Sequence, residues 1–340
     1  MCSEINIFIK VNKYLQPLSF NLLTFAFQIY VMCRLDILLK PLIFIIAVGM
    51  VACKGTKETA HEEVKVDEAI SSTNSLLWQV TGNGLKEPSY LFGTMHIIKN
   101  ENYFFGKNAE KKVKSAKTVV FEVDMDNMNM MAVTKGALMP EGKTLKDYCS
   151  EEDYQLIEDF FHDSLDIAPA MFKMAYAKMK PMFIEQMIIV AYLGENPESY
   201  ETNIAKIAEA KNKPIEGLET LEQQMSFLEN LPLEDQVETL IETVKDYGGT
   251  KTKFDEMVEA YLAQNIEKLQ ESVESADVES GFYTEELLAK RNTAWIPKLK
   301  SYFESGSTFV AVGAGHLGGE IGVIQLLKKE GYTVVPISMD

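Results

Sequence analysis

The chain has 340 residues, 46% of them hydrophobic and 24% charged, a balance that belongs to globular proteins and excludes disorder as a whole. Its 50 acidic residues against 33 basic ones give a formal charge of -17. Such a surplus repels nucleic-acid phosphates and anionic lipid surfaces, so neither is an expected partner, and it favours solubility.

The N-terminal stretch reads as a leader. From Met32 the sequence runs "MCRLDILLKPLIFIIAVGMVACKG", with Arg34 and Lys40 as a positive flank and an apolar run over 41–52 that ends in small residues. This is the layout of a secretory signal, and it is shorter than the roughly 20 apolar residues a membrane span needs. The letters "MVAC" before Lys54 resemble a bacterial lipoprotein box. The expectation is a leader of residues 1–52, with Met32 as an alternative start, and Cys53 as the lipid-bearing first residue of the mature chain. An uncleaved anchor helix is the alternative, and both place the domain outside the cytoplasm, exported to the bacterial cell envelope at the periplasmic or outer-membrane face and tied to the membrane by its N-terminus. Cleavage removes four bases and two acids, leaving a charge of -19. Of the four cysteines only Cys53 and Cys149 then remain, so no disulfide framework or zinc spacing is available and Cys149 reads as an idle or buried thiol. Residues 53–73 are polar and charged, the composition of a flexible tether.

A single domain is expected over 74–340. Its first elements are "LLWQV" and "SYLFG", two strand-like runs separated by a loop or hairpin at Gly82, Asn83 and Gly84. A helix over "YFFGKNAEKKVKSA" leads to "KTVVFEVDM", a continuous apolar strand of the kind covered on both faces. From 126 to about 303 the pattern turns helical. "EEDYQLIEDFFHDSL", "LEDQVETLIETVKDYGG" and "FDEMVEAYLAQNIEKLQESV" place apolar residues at three- and four-residue steps, and only a short strand near 214–217 interrupts them. The Met-rich "MFKMAYAKMKPMFIEQM" reads as a core helix kinked at Pro181, the alternative being an adaptable groove for peptides or lipids. The chain closes on "STFVAVGAGH", a helix, and "YTVVPIS", a β-α-β unit that predicts a parallel pair with a right-handed crossover. The sum is an α/β fold: a central mixed, largely parallel sheet with flanking helices and a large all-helical insertion.

Chemistry is carried by few residues. Of four histidines, His61 lies in the tether and His162 in an acidic helix, and both read as solvent-facing. The other two share a context: Gly93-x-x-His96 and Gly313-x-x-His316, each just after an apolar strand. With 20 glycines in 340 residues, two such coincidences among four histidines are poorly explained by chance. Glycine accepts positive φ, so a strand ending there turns sharply and stands its histidine above the carboxyl edge of the sheet, where open α/β sheets bind ligands. Two imidazoles 220 residues apart are thereby brought together. Glu122 stands inside the apolar run "VVFEV" and needs either a cationic partner or a ligand role. Glu219 follows another short strand. Arg291 and Asn292 lie on a helix whose Trp295 and Ile296 face inward, and a buried arginine there either neutralises Glu122 or binds a substrate carboxylate.

Gly313, Gly315 and Gly318 also spell the G-x-G-x-x-G of dinucleotide folds. That reading fails on three counts. The unit stands at the C-terminal end without the rest of a dinucleotide half-fold, His316 fills the approach to a pyrophosphate, and the upstream G-x-x-H stays unexplained.

Together "LLWQVTGNGLKEPSYLFGTMH", "VVFEVDM", "IEGLET", "RNTAWIPKL" and "VGAGHLGGEIGVIQLLKKEGYTV" resemble the TraB/GumN family, from Ser75 to Ile337, with the helical middle matched only loosely. Its animal relatives are the Tiki metalloproteases, and remoter kin include the ChaN-like and erythromycin-esterase-like proteins. The resemblance implies a site of His96, Glu122 and His316, tied in the Tiki branch to divalent-metal-dependent peptide cleavage, with Glu219, Arg291 and Asn292 at further recurrent positions. The leading expectation is an envelope lipoprotein hydrolase of the peptidase kind, acting on a peptide or small-molecule substrate. Its divalent transition metal, of the Mn, Co or Zn class, is held by His96, Glu122 and His316. Glu219 then takes the proton of the attacking water, and Arg291 or Asn292 holds the oxyanion or a substrate carboxylate. Two alternatives stay open: a metal-independent hydrolase with His96 as base oriented by Glu122, and a lipoprotein that binds a metal or ligand without turnover.

Overall fold

The computed structural model describes residues 74–124, 130–229, 231–275 and 283–340. The expected leader, Cys53, His61 and the tether over 53–73 lie outside them. A six-stranded sheet forms the centre, with strands β1 (Leu77–Gly82), β2 (Ser89–Thr94), β4 (Thr118–Val123), β6 (Ile215–Glu219), β7 (Thr308–Gly313) and β8 (Tyr332–Pro336). Their order is β6-β4-β7-β2-β1-β8. The four strands β6, β4, β7 and β2 run parallel, while β1 is antiparallel to both β2 and β8. An α/β fold around a mixed, largely parallel sheet is what the sequence predicts.

The hairpin forms as read, Leu77 opposite Phe92 through Val80 opposite Ser89, with Gly82, Asn83 and Gly84 all at positive φ in the turn. Two features differ from expectation. The closing β-α-β unit delivers strands of the same direction that are not neighbours, since β2 and β1 stand between β7 and β8. Both edges of β7 are already paired, with β2 and β4, whereas β1 offers a free edge. A second small sheet, β3 (Ile97–Ile98) paired with β5 (Glu198–Ser199), is too short to leave any periodicity in the sequence.

Helices α1 (Lys107–Ser115) and α6 (Tyr200–Glu209) pack together beside β4, and α11 (Lys290–Ser305) packs with α12 (Val323–Lys329). Every residue of β2 and β7 is buried, so both sheet faces are covered. Between β4 and β7 the chain adds α2 (Met130–Ala137), α3 (Glu151–Leu165), α4 (Pro169–Met174), α5 (Pro181–Leu193), α7 (Leu221–Glu229), α8 (Leu233–Lys245), α9 (Tyr247–Leu262) and α10 (Ile266–Ser275). A π-helical turn, Tyr283–Ala289, runs directly into α11. Within this layer α3, α4, α5 and α8 share a second core of Ile157, Phe161, Phe172, Ile184, Ile188 and Leu240. Each such fully buried side chain contributes roughly 1.5–3 kcal/mol. Among the described residues no helix is long and apolar enough to cross a membrane.

The Met-rich stretch is not one kinked helix. Pro181 occupies the first turn of α5, where its missing N–H costs nothing, and α4 has already ended at Met174, which is exposed. Met182 is buried as a core reading requires. The run "FDEMVEAYLAQNIEKLQESV" also breaks into α9 and α10, because Gln264 adopts φ 56° and Asn265 caps the next helix through Lys268 N–H. That break turns α10 across the end of β7.

Candidate active site

The carboxyl ends of the four parallel strands share one edge of the sheet. Thr94 pairs with Gly313 and Val123 with Glu219, so the residues just past β2 and β7 and those at the ends of β4 and β6 converge there. His96, Glu122, Glu219, Arg291, Asn292 and His316 are all buried at this edge and linked by contacts. His162, in contrast, is exposed beside Asp163.

Glycine serves the two histidine turns differently from expectation. Gly313 has φ -51°, an ordinary value, and Gly93 is not at positive φ either. Close approach is the reason for glycine. A Cβ on Gly313 would sit 3.0 Å from His96 Nε2 and 3.3 Å from Glu122 Oε1, and one on Gly93 would sit 3.0 Å from Ala314 Cβ and Leu317 Cδ1.

Glu122 is the hub. Its Oε1 accepts the Gly313 N–H at 2.6 Å and lies 3.8 Å from Nε2 of both His96 and His316. Its Oε2 accepts from Arg291 Nη2 at 2.6 Å. Burial opposes its charged form, but the His316 ring, the Arg291 guanidinium, the His96 ring and the Gly313 N–H together more than offset that and hold the carboxyl well below the usual range.

The two imidazoles have different partners. His316 Nδ1 donates to Asn292 Oδ1 at 2.7 Å, which leaves the Nε2 lone pair facing Arg291 Nη1 at 3.2 Å. Burial first, and then the nearby guanidinium, push its pKa down to about 3, so this ring is neutral at physiological pH. His96 Nδ1 donates to Glu201 Oε1 at 2.7 Å, and the Thr94 hydroxyl donates to the same oxygen at 2.6 Å. Burial works against its charged form, yet Glu201 and then Glu122 overcome it and raise its pKa. His96 Nε2 is buried and has no hydrogen-bond partner among the described residues.

Arg291 stitches the cluster together. Its Nε donates to Glu219 Oε1 at 2.9 Å, Nη2 reaches the same oxygen, and the guanidinium stacks 4.9 Å from the Trp295 ring. Glu219 Oε2 accepts from Trp295 Nε1 at 3.3 Å. Burial raises the Glu219 pKa, with Arg291 pulling against it. Both Glu219 oxygens are thus engaged, and its place is behind Arg291, holding the guanidinium. A proton-accepting role would require Glu219 to release one of these contacts. Asn292 Nδ2 donates to the Ile321 carbonyl at 2.9 Å and ties the loop after His316 to α11.

Two participants escape the sequence reading. Glu201, with Ile204, Ala205 and Ala208, occupies the i, i+3, i+4, i+7 stripe of α6 that faces the core, and an acid on that stripe was the available signal. Gln224 sits likewise between Leu221 and Met225 on α7, and its Nε2 lies 3.4 Å from Glu122 Oε2 and Glu219 Oε1. Glu201, and not Glu122, is the carboxylate on His96 Nδ1, whereas Glu122 faces Nε2.

The donor chemistry fits a divalent cation. Two imidazoles present Nε2 toward one carboxylate, each fixed through Nδ1 by an acceptor behind it, the usual arrangement of metal-bound histidine. Counted as ionised, Glu122, Glu201 and Glu219 against Arg291 leave two negative charges with both rings neutral. The buried, unpartnered His96 Nε2 is the atom that most needs a partner. The three groups are nevertheless not gathered into a formed ligand set: among the described residues no cluster of three or more His, Cys, Asp or Glu side chains is placed to hold a metal ion. Arg291 is the physical reason, since it engages both Glu122 Oε2 and His316 Nε2.

The family model described as the TraB/PrgY/gumN family matches residues 76–336, nearly the whole described fold. The chain belongs to this family. Similarity to individual curated proteins is low but long. Metalloprotease TIKI1 of Xenopus tropicalis is 22% identical over 86% of the chain, and metalloprotease TIKI1 of Homo sapiens 23% over 84%. Metalloprotease TIKI2 of Danio rerio is 22% identical over 82%. The matches cover about two thirds of the length of these relatives, 67%, 66% and 65% in turn. No solved structure matches the chain.

Proposed function

We propose that this chain is a divalent-metal-dependent hydrolase of peptide bonds, with His96, His316 and Glu122 as the metal ligands. The observation that carries the reading is His96 Nε2, buried without a partner 3.8 Å from the Glu122 carboxylate while Glu201 fixes its other nitrogen. The names of the TIKI relatives supply the metal dependence and the peptide substrate. When bound, the ion supplies a water of lowered pKa and polarises the scissile carbonyl. Glu201 and Asn292 hold both imidazoles in the tautomer that presents Nε2. Glu122 stays ionised beside them. Arg291, braced by Glu219 and Trp295, offers a fixed positive charge where the carbonyl oxygen becomes negative.

Elemental analysis of the full-length protein tests this: one divalent ion per chain is expected, lost in His96→Ala and in His316→Ala together with peptide cleavage. Full peptide-cleaving activity in metal-free protein sinks it. That outcome favours the metal-independent alternative, which the His96–Glu201 pair also supports, with His96 Nε2 as general base and Glu201 as its orienting carboxylate.

We also read the protein as an exported lipoprotein of the bacterial cell envelope, supported by the charged flank, apolar run and "MVAC" ending at Cys53. Fatty-acid labelling of the wild type and not of Cys53→Ser is the expected result, and equal labelling of both, or none, overturns it.

A further inference from the structure

The edge that carries the two histidines opens into a narrow cleft of about 50 Å³. His96, His316 and the backbone of 313–315 form one wall. Facing them are Met257 of α9, Leu269 and Val273 of α10, and Leu288 of the π-helical turn. A Cβ on Gly315 would lie 3.3 Å from Val273 Cγ2, so the walls stand close together. The polar side chains of the lining are already engaged. Thr94 donates to Glu201, Tyr261 donates to the Gly93 carbonyl at 3.0 Å, and His316 Nδ1 donates to Asn292. Among the described residues no charged side chain besides the imidazoles borders the space.

We infer that this cleft receives a small, uncharged side chain next to the scissile bond, of alanine size, and that Met257 sets the upper limit. The inference rests on the peptidase reading. Volume disfavours an aromatic ring: about 50 Å³ is well short of the roughly 150 Å³ of a cavity that takes up benzene. Chemistry disfavours a charged side chain, which would be desolvated against methionine, leucine and valine with no counter-ion among the described residues. Met257 is the adjustable element: it is only half-buried, and its unbranched thioether changes shape more readily than the branched side chains beside it.

The test uses the full-length, metal-loaded protein and peptides that differ at one position between Ala, Leu, Phe, Glu and Lys, with cleavage sites read by mass spectrometry. Binding of the corresponding N-acetylated residue amides to metal-free protein is measured in parallel by tryptophan fluorescence, since Trp295 lies 4.5 Å from His316. Cleavage beside Ala at least tenfold faster than beside Phe, with the same order in binding, is expected for the wild type. Met257→Ala should raise Leu and Phe at least tenfold while leaving Ala within about threefold. Equal cleavage or equal binding across the set, no measurable binding of any amide, or an order unmoved by Met257→Ala overturns the inference. Ordered binding without cleavage of any peptide leaves the pocket standing and defeats the peptidase reading instead.

Discussion

The turns at His96 and His316 have the same spelling, leave neighbouring parallel strands, and aim Nε2 at the same carboxylate oxygen from the same 3.8 Å. Their chemistry is opposite. A carboxylate stands behind His96 and raises its proton affinity, while a neutral amide stands behind His316 with a guanidinium in front, and its proton affinity falls. The G-x-x-H motif therefore sets position only. Charge state is set by α6 and α11, helices that join the sheet from distant parts of the sequence.

Removing the cation that separates the two rings is the harshest way to break this contrast. Arg291→Ala leaves Glu122 and Glu219 buried without their shared partner, and should cost about 3–5 kcal/mol of stability in denaturant unfolding. Arg291→Lys should recover little of it, because a point charge cannot span two carboxylates as the guanidinium fork does. A loss below about 1 kcal/mol would show that the guanidinium is not what holds the pair.

Exchanging the groups behind the rings sharpens the comparison more gently. Glu201→Gln and Asn292→Ala should each weaken metal binding about 10- to 100-fold in calorimetry while the fold persists. Unchanged affinity in both would remove the second layer from the account.

The smallest effect is read by NMR titration of the ring signals. His316 should stay neutral from about pH 8 down to about pH 5, and His96 should titrate above the ordinary imidazole value of about 6.5. The linked stabilities have opposite signs. Below pH 6.5 the unfolded chain takes a proton that folded His316 refuses until about pH 3, so stability falls with acidification over that interval. His96 contributes stability below 6.5 that is lost as pH rises through its folded pKa. Coincident titration of the two rings would erase the distinction.

Much of this was legible in the letters, and for physical reasons. An apolar strand, a glycine and a histidine three residues on mark a sheet edge wherever they occur, and Glu122 announces itself as an acid within an apolar run. Arg291 and Asn292 could be singled out because Trp295 fixes the inward face of their helix. Glu201 was hidden. Its contact with His96 spans 105 residues, and in an acidic chain one more glutamate on a helix carries little signal unless its stripe position is weighed. The site of β8 was hidden too, because a local pattern specifies a strand without naming the edge it will join. The glycines were found for the wrong reason: proximity to the neighbouring turn, rather than handedness of the backbone, excludes larger residues there.

Thr94 stands directly beside Gly313 in the ladder, so both turns depart from the same level of adjoining strands. The distance between the strands, about 4.8 Å, is dictated by main-chain pairing and is indifferent to side-chain identity. A descendant of this chain is accordingly free to replace Glu201 or Asn292 and retune each ring while the pitch between them is inherited unchanged. The scaffold holds the gauge constant and leaves the reactivity open to drift.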